Sequence, residues 1–118
     1  MKYVTIALLP VLLLGGPAFA ATTSPEGLWQ LPSGARVAIA PCADALCGQV
    51  TLPAGHLKLD QPILRDVRSD GAVWRGKVWA EQLQDWADVE MTRNGATLRL
   101  KACAMMACRN REWQQAVP

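Results

Sequence analysis

Residues 86–101 read WADVEMTRNGATLRLK and carry the clearest structural signal in the chain. Apolar and polar side chains alternate on both sides of Asn94-Gly95. A period of two residues is typical of a β-strand with one buried face. Asn-Gly between two such runs predicts a type I′ hairpin turn, because both residues tolerate a positive φ angle. The stretch therefore predicts two antiparallel strands joined by a tight turn.

Short alternating runs of this kind continue in both directions from the hairpin. The predicted strands cover residues 27–31, 35–41, 46–52, 63–68, 73–80, 86–92, 97–101 and 109–117. The longest predicted loop, residues 53–62, contains His56, the sole histidine. Since no segment reads as a helix of crossover length, we expect the strands to pair antiparallel and in sequential order.

An antiparallel meander of eight strands leaves two exposed edges unless it closes on itself. Closure removes both edges, so we predict an all-β fold, a small antiparallel up-and-down β-barrel of about eight strands. Such a barrel has room for packed side chains or for one small ligand. The residues predicted to face inward, and to line a ligand-binding interior, are Trp29, Val37, Ile39, Val50, Trp74, Val78, Val89, Met91, Leu98, Leu100 and Trp113.

The first 20 residues have the features of a signal peptide. Lys2 precedes an apolar run over residues 4–14, and Ala18-Phe19-Ala20 is a small-x-small cleavage site. The apolar run is too short to be a good membrane span. We expect cleavage after Ala20, a single domain over residues 21–118 with no integral membrane segment, and a periplasmic or secreted location.

Cysteine usage agrees with export, since an even number in a small exported chain favours disulfides. Both sequence-local pairs have the spacing C-x4-C, which favours Cys42–Cys47 and Cys103–Cys108 among the three possible connectivities. A loop this short contributes roughly 2 kcal/mol of stability. The alternative is a zinc site with four thiolate ligands, although zinc usually takes pairs spaced by two to four residues.

The net charge of the chain argues against two classes of partner. The formal net charge is +2 at pH 7, and loss of Lys2 lowers it to +1. A nearly neutral chain argues against nucleic acid as the main partner. It also lacks a polybasic stripe for an anionic membrane. We expect a monomer.

Several motifs resemble those of one family. Gly27-Leu28-Trp29, Ala40-Pro41-Cys42, LCGQV at 46–50, WRGKV at 74–78 and Cys103-x4-Cys108-Arg109-x3-Trp113 occur in this order. The chain resembles the bacterial exported domain-of-unknown-function family numbered 2147, except that its middle segment, residues 53–66, is shorter. The resemblance implies a lipocalin-like barrel and no assigned activity.

Gly27-x-Trp29 followed by a late arginine also resembles the lipocalin closure. There an arginine lies over the tryptophan at the closed end of the barrel. Trp29 would take the tryptophan role, and Arg109 or Arg111 the arginine role. A guanidinium on an indole face is worth about 0.5–2 kcal/mol. The alternative is that Trp29 is an ordinary core residue.

Candidates for chemistry are few, and we expect neither an enzyme nor a cofactor. Ser24, Ser33 and Ser69 lie in the leader or in turns, although a serine and His56 can meet in space without any sequence signature. Asp88 and Glu90 share a strand face and are expected to point to solvent, opposite Arg75 or Lys77. An acidic patch for a cationic partner and an anion site at the basic residues are the alternatives.

Two further features bear on binding. Met105-Met106 lies between two cysteines and is expected to form an apolar knob at the barrel rim, with Cu(I) ligation as the alternative. Trp79 and Trp86 do not share the inward face and would mark a contact surface if exposed.

Two functions follow from these patterns. The first is a carrier or sensor of a small apolar ligand, with interior space left by Gly48, Gly76, Ala80 and Ala87. The second is an envelope protein-interaction or inhibitor module with a filled barrel core. An apolar cavity favours the first, and a filled core the second.

Overall fold

A computed structural model of the protein describes residues 23–117. The predicted signal peptide lies outside these residues. The strands are β1 (Gly27–Gln30), β2 (Arg36–Cys42), β3 (Ala45–Leu52), β4 (Pro62–Asp70), β5 (Val73–Ala80), β6 (Asp85–Asn94), β7 (Thr97–Ala104) and β8 (Ala107–Gln115). None of the described elements is a helix long and apolar enough to cross a membrane.

The eight strands pair antiparallel in sequential order, and β8 pairs with β1, so the sheet closes. The predicted up-and-down barrel is confirmed. The connections after β1, β3, β5 and β7 meet at one end, which we call the mouth. The turns after β2, β4 and β6 meet at the opposite end, the closed end.

The inward faces of the strands supply the core, as the alternation predicts. Of the inward-facing candidates, all except Trp74 are buried: Trp29, Val37, Ile39, Val50, Val78, Val89, Met91, Leu98, Leu100 and Trp113. Trp74 is half-buried and packs against this core. Ile63, Leu64 and Val67 of β4 are also buried, although their spacing is not that of a regular alternating strand.

A β-bulge in β4 explains the three-residue spacing from Leu64 to Val67. Arg65 lies opposite Lys77 and Arg68 lies opposite Arg75, so Asp66 and Val67 together face Gly76 of β5. Asp66 has a φ angle of 55°, the left-handed conformation that allows the extra residue to be accommodated. The bulge therefore turns Val67 toward the barrel interior, three residues after Leu64.

The β6–β7 turn differs from the prediction by one residue. Asn94 pairs with Thr97, so the central turn residues are Gly95 and Ala96 rather than Asn94 and Gly95. Of the two, only Gly95 has a positive φ angle, 65°, which corresponds to a type II′ turn. Both registers keep the same side chains inward, so the apolar pattern does not distinguish them.

Both predicted disulfides are present, Cys42–Cys47 in the β2–β3 hairpin and Cys103–Cys108 in the β7–β8 hairpin. Because all four sulfurs are in disulfides, the four-thiolate zinc alternative is wrong. One disulfide lies near the closed end and the other at the mouth.

Ion pairs cover the outer face of β5 and β6, as expected from their charges. Arg75 contacts Glu90 at 3.0 Å, and Lys77 contacts Asp88. At the closed end Arg68 donates to Asp44 at 3.1 Å. This hydrogen bond, and next the positive charge of Arg68, lowers the pKa of Asp44 from its ordinary value. The contact therefore stabilises the fold above the ordinary pKa of an aspartate and is lost as the pH falls through the lowered pKa.

Candidate functional site

The mouth of the barrel leads into a cavity of about 540 Å³, which we call the mouth cavity. This volume lies within the range of about 300–1,000 Å³ that is usual for small-molecule sites. Strands β5 to β8 supply most of its wall, and the start of β4, the β3–β4 loop and the β1–β2, β5–β6 and β7–β8 turns supply the rest. Most of the lining side chains are apolar, among them Leu31, Leu57, Ile63, Val78, Trp79 and Trp113.

Small side chains account for the space in the wall. Ala80 of β5, Ala87 of β6, and Ala102 and Ala104 of β7 all line the mouth cavity. They occupy inward positions of their strands, where larger side chains fill the barrel nearer the closed end. Space at Ala80 and Ala87 is expected from the sequence. The contribution of the two alanines of β7 is not, although they alternate with Leu98 and Leu100 on the inward face.

The two glycines expected to leave interior space do not do so. A Cβ atom at Gly48 would lie 3.1 Å from Leu64 Cδ1, and one at Gly76 would lie 2.7 Å from Val67 Cγ2. Both glycines flank the bulged strand β4, and side chains of β4 already occupy the space beside them. That expectation is therefore wrong, and these glycines serve close packing.

Few of the predicted ligand-binding residues reach the mouth cavity. Val78 and Trp113 line it. The other buried candidates, and the half-buried Trp74, lie elsewhere in the barrel. Alternation along a strand identifies the inward face, but it does not show at which level along the barrel axis the interior is filled by side chains.

The tryptophans outside the inward set form a cluster at the mouth. The rings of Trp79 and Trp86 are 5.6 Å apart in an edge-to-face arrangement. The guanidinium of Arg65 lies 4.4 Å from the centre of the Trp86 ring. Both indoles are half-buried, and Trp79 packs against the core. Neither tryptophan is therefore exposed, as it would have to be to mark a contact surface.

Three charged side chains line the mouth cavity, Glu81, Arg109 and Arg111. Arg109 and Arg111 lie on the same face of β8 as Trp113, opposite Ala102 and Leu100 of β7. Both are exposed, since β1 pairs with β8 only at Gln114 and Gln115 and leaves the mouth half of β8 open on that side. The opening of the cavity is thus polar while its wall is apolar.

The arginine that lies over Trp29 is Arg93, so its assignment to Arg109 or Arg111 is wrong. Its guanidinium is 5.0 Å from the centre of the indole ring. Arg93 stands at an inward position near the end of β6, at the closed end, whereas Arg109 and Arg111 lie near the mouth. It also donates to the backbone carbonyls of Ser24 and Glu26, at 3.1 and 3.3 Å.

The β7–β8 turn presents an exposed apolar knob, as expected. Met105 and Met106 are its two central residues, since Ala104 pairs with Ala107, and Met106 is fully exposed. Their φ angles of 52° and 67° are those of a type I′ turn. Methionine is unfavourable at such positions because its Cβ atom approaches the backbone too closely. The fold thus holds two apolar side chains in solvent at a conformational cost.

We expect the double substitution Met105→Asn and Met106→Gly to stabilise the protein by about 1–2 kcal/mol, because these residues suit a type I′ turn. The gain should be measured as the free energy of unfolding in urea, with both disulfides intact. The single substitution Met105→Ser is the control for loss of apolar exposure. A double variant no more stable than this control would show that the turn is not strained.

A second concave region lies on the outer face of β6, β7 and β8. It has a volume of about 390 Å³ and is lined mainly by polar side chains, including Glu90, Arg99 and Glu112. Arg99 and Glu112 form an ion pair across it at 3.3 Å. Within residues 23–117, Lys101 and Arg111, which also line this groove, form no ion pair. The wall of the groove is nevertheless mainly polar, so it is the weaker candidate for an apolar ligand.

Residues considered for catalysis or metal binding are dispersed. His56 is exposed in the β3–β4 loop, and Ser33 accepts a hydrogen bond from the Ala35 amide in the β1–β2 turn. Among residues 23–117, no group of three or more His, Cys, Asp or Glu side chains is placed to hold a metal ion. The mouth cavity is therefore the stronger candidate for a functional site.

The comparisons with known proteins return nothing for this chain: no family model, no curated protein and no solved structure matches it. The fold and the geometry of the site therefore carry the functional argument. The resemblance to the domain-of-unknown-function family numbered 2147 stays a prediction.

Proposed function

We propose that the protein is an exported carrier or sensor that binds a small apolar ligand in the mouth cavity. The observation that carries this proposal is an apolar cavity of about 540 Å³ at the open end of an otherwise packed barrel. Binding is the whole activity in this proposal, and no catalytic step is included. Its periplasmic or secreted location rests on the predicted signal peptide.

The energetics of such a site are modest. Burial of one methylene group contributes about 0.8 kcal/mol, so a tail of ten carbons contributes roughly 8 kcal/mol before other terms. Lost translational and rotational freedom costs about 4 kcal/mol or more. The remainder, at most about 4 kcal/mol, corresponds to a Kd of about 1 mM or weaker for the tail alone. A carrier with such an affinity can both load and release its ligand.

Titration with N-phenyl-1-naphthylamine, a neutral apolar dye, tests this proposal. We expect saturable binding of one dye per barrel, read from dye fluorescence. The substitution Ala102→Trp fills the mouth cavity and should weaken binding at least about tenfold, which corresponds to 1.4 kcal/mol.

Lys101→Trp is the matched control, since Lys101 is the neighbouring residue on the exposed outer face of β7. It adds the same indole without entering the cavity and should leave the Kd within about twofold of wild type. Equal binding by the Ala102→Trp and wild-type proteins would place the dye elsewhere, and non-saturable binding would reject the proposal.

The protein-interaction module remains the second candidate, because the mouth carries exposed apolar side chains. Leu52, Leu59, Leu83, Met105 and Met106 are exposed and belong to connections or strand ends at the mouth. A partner that binds this rim would lose affinity when Met105 and Met106 are both replaced by serine. Dye binding inside the barrel should survive that change, so the two functions can be separated.

A further inference from the structure

The mouth cavity is not uniform in polarity. Its wall is built from Ile63, Val78, Ala87, Ala102 and similar side chains, whereas Arg109 and Arg111 line it from β8. A purely apolar ligand would gain nothing from these two positive charges. Their position bears on the chemical class of the ligand.

Strand alternation, rather than chance, places Arg109 and Arg111 on this side. Trp113, Arg111 and Arg109 follow one another at every second residue of β8. Their partners on β7 are Leu98, Leu100 and Ala102, all on the inward face. An arginine that points outward from β8 would have to stand at an even-numbered residue. The two arginines therefore stand where the barrel interior meets solvent, and Arg111 also borders the groove on the outer face.

These two arginines lack the acidic partners that Arg65, Arg68, Arg75, Lys77 and Arg99 have. Within residues 23–117, Arg109 makes no ion pair or side-chain hydrogen bond, and Arg111 donates only to the Asn110 carbonyl, at 3.2 Å. On the outer face, by contrast, Arg75 and Arg99 each contact a glutamate.

The single acidic side chain that lines the cavity, Glu81, is already engaged. Its carboxylate accepts hydrogen bonds from Trp79 Nε1 at 3.0 Å and from Gln84 Nε2 at 3.0 Å. Two positive charges and one negative charge thus line the cavity. An anion that arrives at the opening meets two guanidinium groups whose hydrogen-bond donors are largely free.

We propose that the ligand is an amphipathic anion, whose apolar tail fills the mouth cavity and whose anionic head binds Arg109 and Arg111. This inference rests on the proposed function and adds the charge of the head group to it. The planar guanidinium presents paired donors that match a carboxylate or a phosphate oxygen pair. The open side of β8 leaves the head group in contact with water, so a charged head is not desolvated completely.

A series of ligands with one tail and three head groups tests the proposal. Decanoate, decanol and decylamine share a ten-carbon chain and differ in charge. Each is titrated at pH 7.5 as a competitor of N-phenyl-1-naphthylamine, below its solubility limit. We expect the wild-type protein to bind decanoate at least about fivefold more tightly than decanol, and decylamine more weakly than either.

The arginines are tested with the double variant Arg109→Gln and Arg111→Gln. It should weaken decanoate binding about tenfold and change decanol binding less than about twofold. The control is Arg75→Gln with Arg99→Gln, which removes the same net charge from the outer face. It should keep the wild-type preference for decanoate, and added salt should weaken decanoate binding but not decanol binding.

The outcomes separate this inference from the proposed function. If decanol and the dye bind but decanoate has no advantage, or if the Arg109/Arg111 variant keeps that advantage, the anionic head group is overturned and the apolar carrier stands. If the dye, decanol and decanoate all fail to bind a folded protein, both proposals are overturned. A preference lost in the Arg109/Arg111 variant and kept in the Arg75/Arg99 control supports the inference.

Discussion

Replacement of Trp29 by alanine is expected to lower the free energy of unfolding by about 4 kcal/mol, the usual effect of removing a buried tryptophan. Trp29 is completely buried, and its Nε1 donates to the Pro25 carbonyl at 2.8 Å. Its ring also lies beneath the Arg93 guanidinium. The variant therefore loses apolar burial, a buried hydrogen bond and a cation–π contact together. Urea unfolding followed by circular dichroism measures the change.

Two controls separate these contributions. Trp29→Phe keeps an aromatic ring but removes the donor to Pro25, and we expect a loss of about 1.5 kcal/mol. Arg93→Gln removes the guanidinium and should cost about 1 kcal/mol, whereas Arg109→Gln should be nearly neutral. A larger effect at Arg109 than at Arg93 would restore the closure expected from the sequence. A Trp29→Ala loss below about 1 kcal/mol would show that this end of the barrel is not well packed.

The second large effect is expected at Gly76. A Cβ atom there would lie 2.8 Å from the Arg65 carbonyl oxygen and 2.9 Å from Val67 Cα. Since these atoms belong to the backbone of the bulged strand β4, they cannot rotate away. We expect Gly76→Val to lower the free energy of unfolding by about 3 kcal/mol, at the upper end of the range for overpacking.

Gly48→Ala is compared with Gly76→Ala to test this reason. The three atoms nearest to a Cβ atom at Gly48 would be Leu64 Cδ1, Leu64 Cβ and Val37 Cγ1, at 3.1–3.2 Å. These contacts are longer than those at Gly76 and need only a small shift, so Gly48→Ala should cost about 1 kcal/mol and Gly76→Ala at least twice as much. Equal effects on the denaturation midpoint would mean that β4 moves as easily as a side chain.

Much of the architecture is determined by residues close together in the chain and could be predicted from the sequence. The alternation in β5 to β8 gives the strands, the inward face and the antiparallel pairing. The equal spacing of Cys42–Cys47 and Cys103–Cys108 gives the disulfides. In each case the deciding residues are close together in the chain, so tertiary contacts need not be known.

The errors in prediction arise at structural features that are determined by residues far apart in the sequence. The β4 bulge depends on Asp66 adopting a left-handed conformation between two neighbouring strands, which no local pattern of this segment indicates. The bulge also explains why side chains of β4 occupy the space beside Gly48 and Gly76. Arg93 was missed because its contact with Trp29 requires the two residues to lie at the same level along the barrel axis. That level is set by the register of all eight strands.

The candidate site was harder to predict for the same reason. Its inward residues follow from alternation, but the position of empty space follows from which small side chains meet. Ala87 and Ala102 are 15 residues apart in the chain and line one cavity. The open side of β8, which exposes Arg109 and Arg111, results from the shortness of β1. Sequence periodicity contains neither fact.

Alanine methyl NMR can locate the ligand inside the protein. In a protein labelled with ¹³C at alanine methyl groups, N-phenyl-1-naphthylamine should shift the signals of the alanines that line the mouth cavity, Ala80, Ala87, Ala102, Ala104 and Ala107. Ala38 and Ala40, on the outer face of β2, should not shift. Saturable shifts confined to the five cavity alanines are the expected result. Unchanged cavity signals, with shifts elsewhere or none, would overturn the proposal that the mouth cavity is the ligand site.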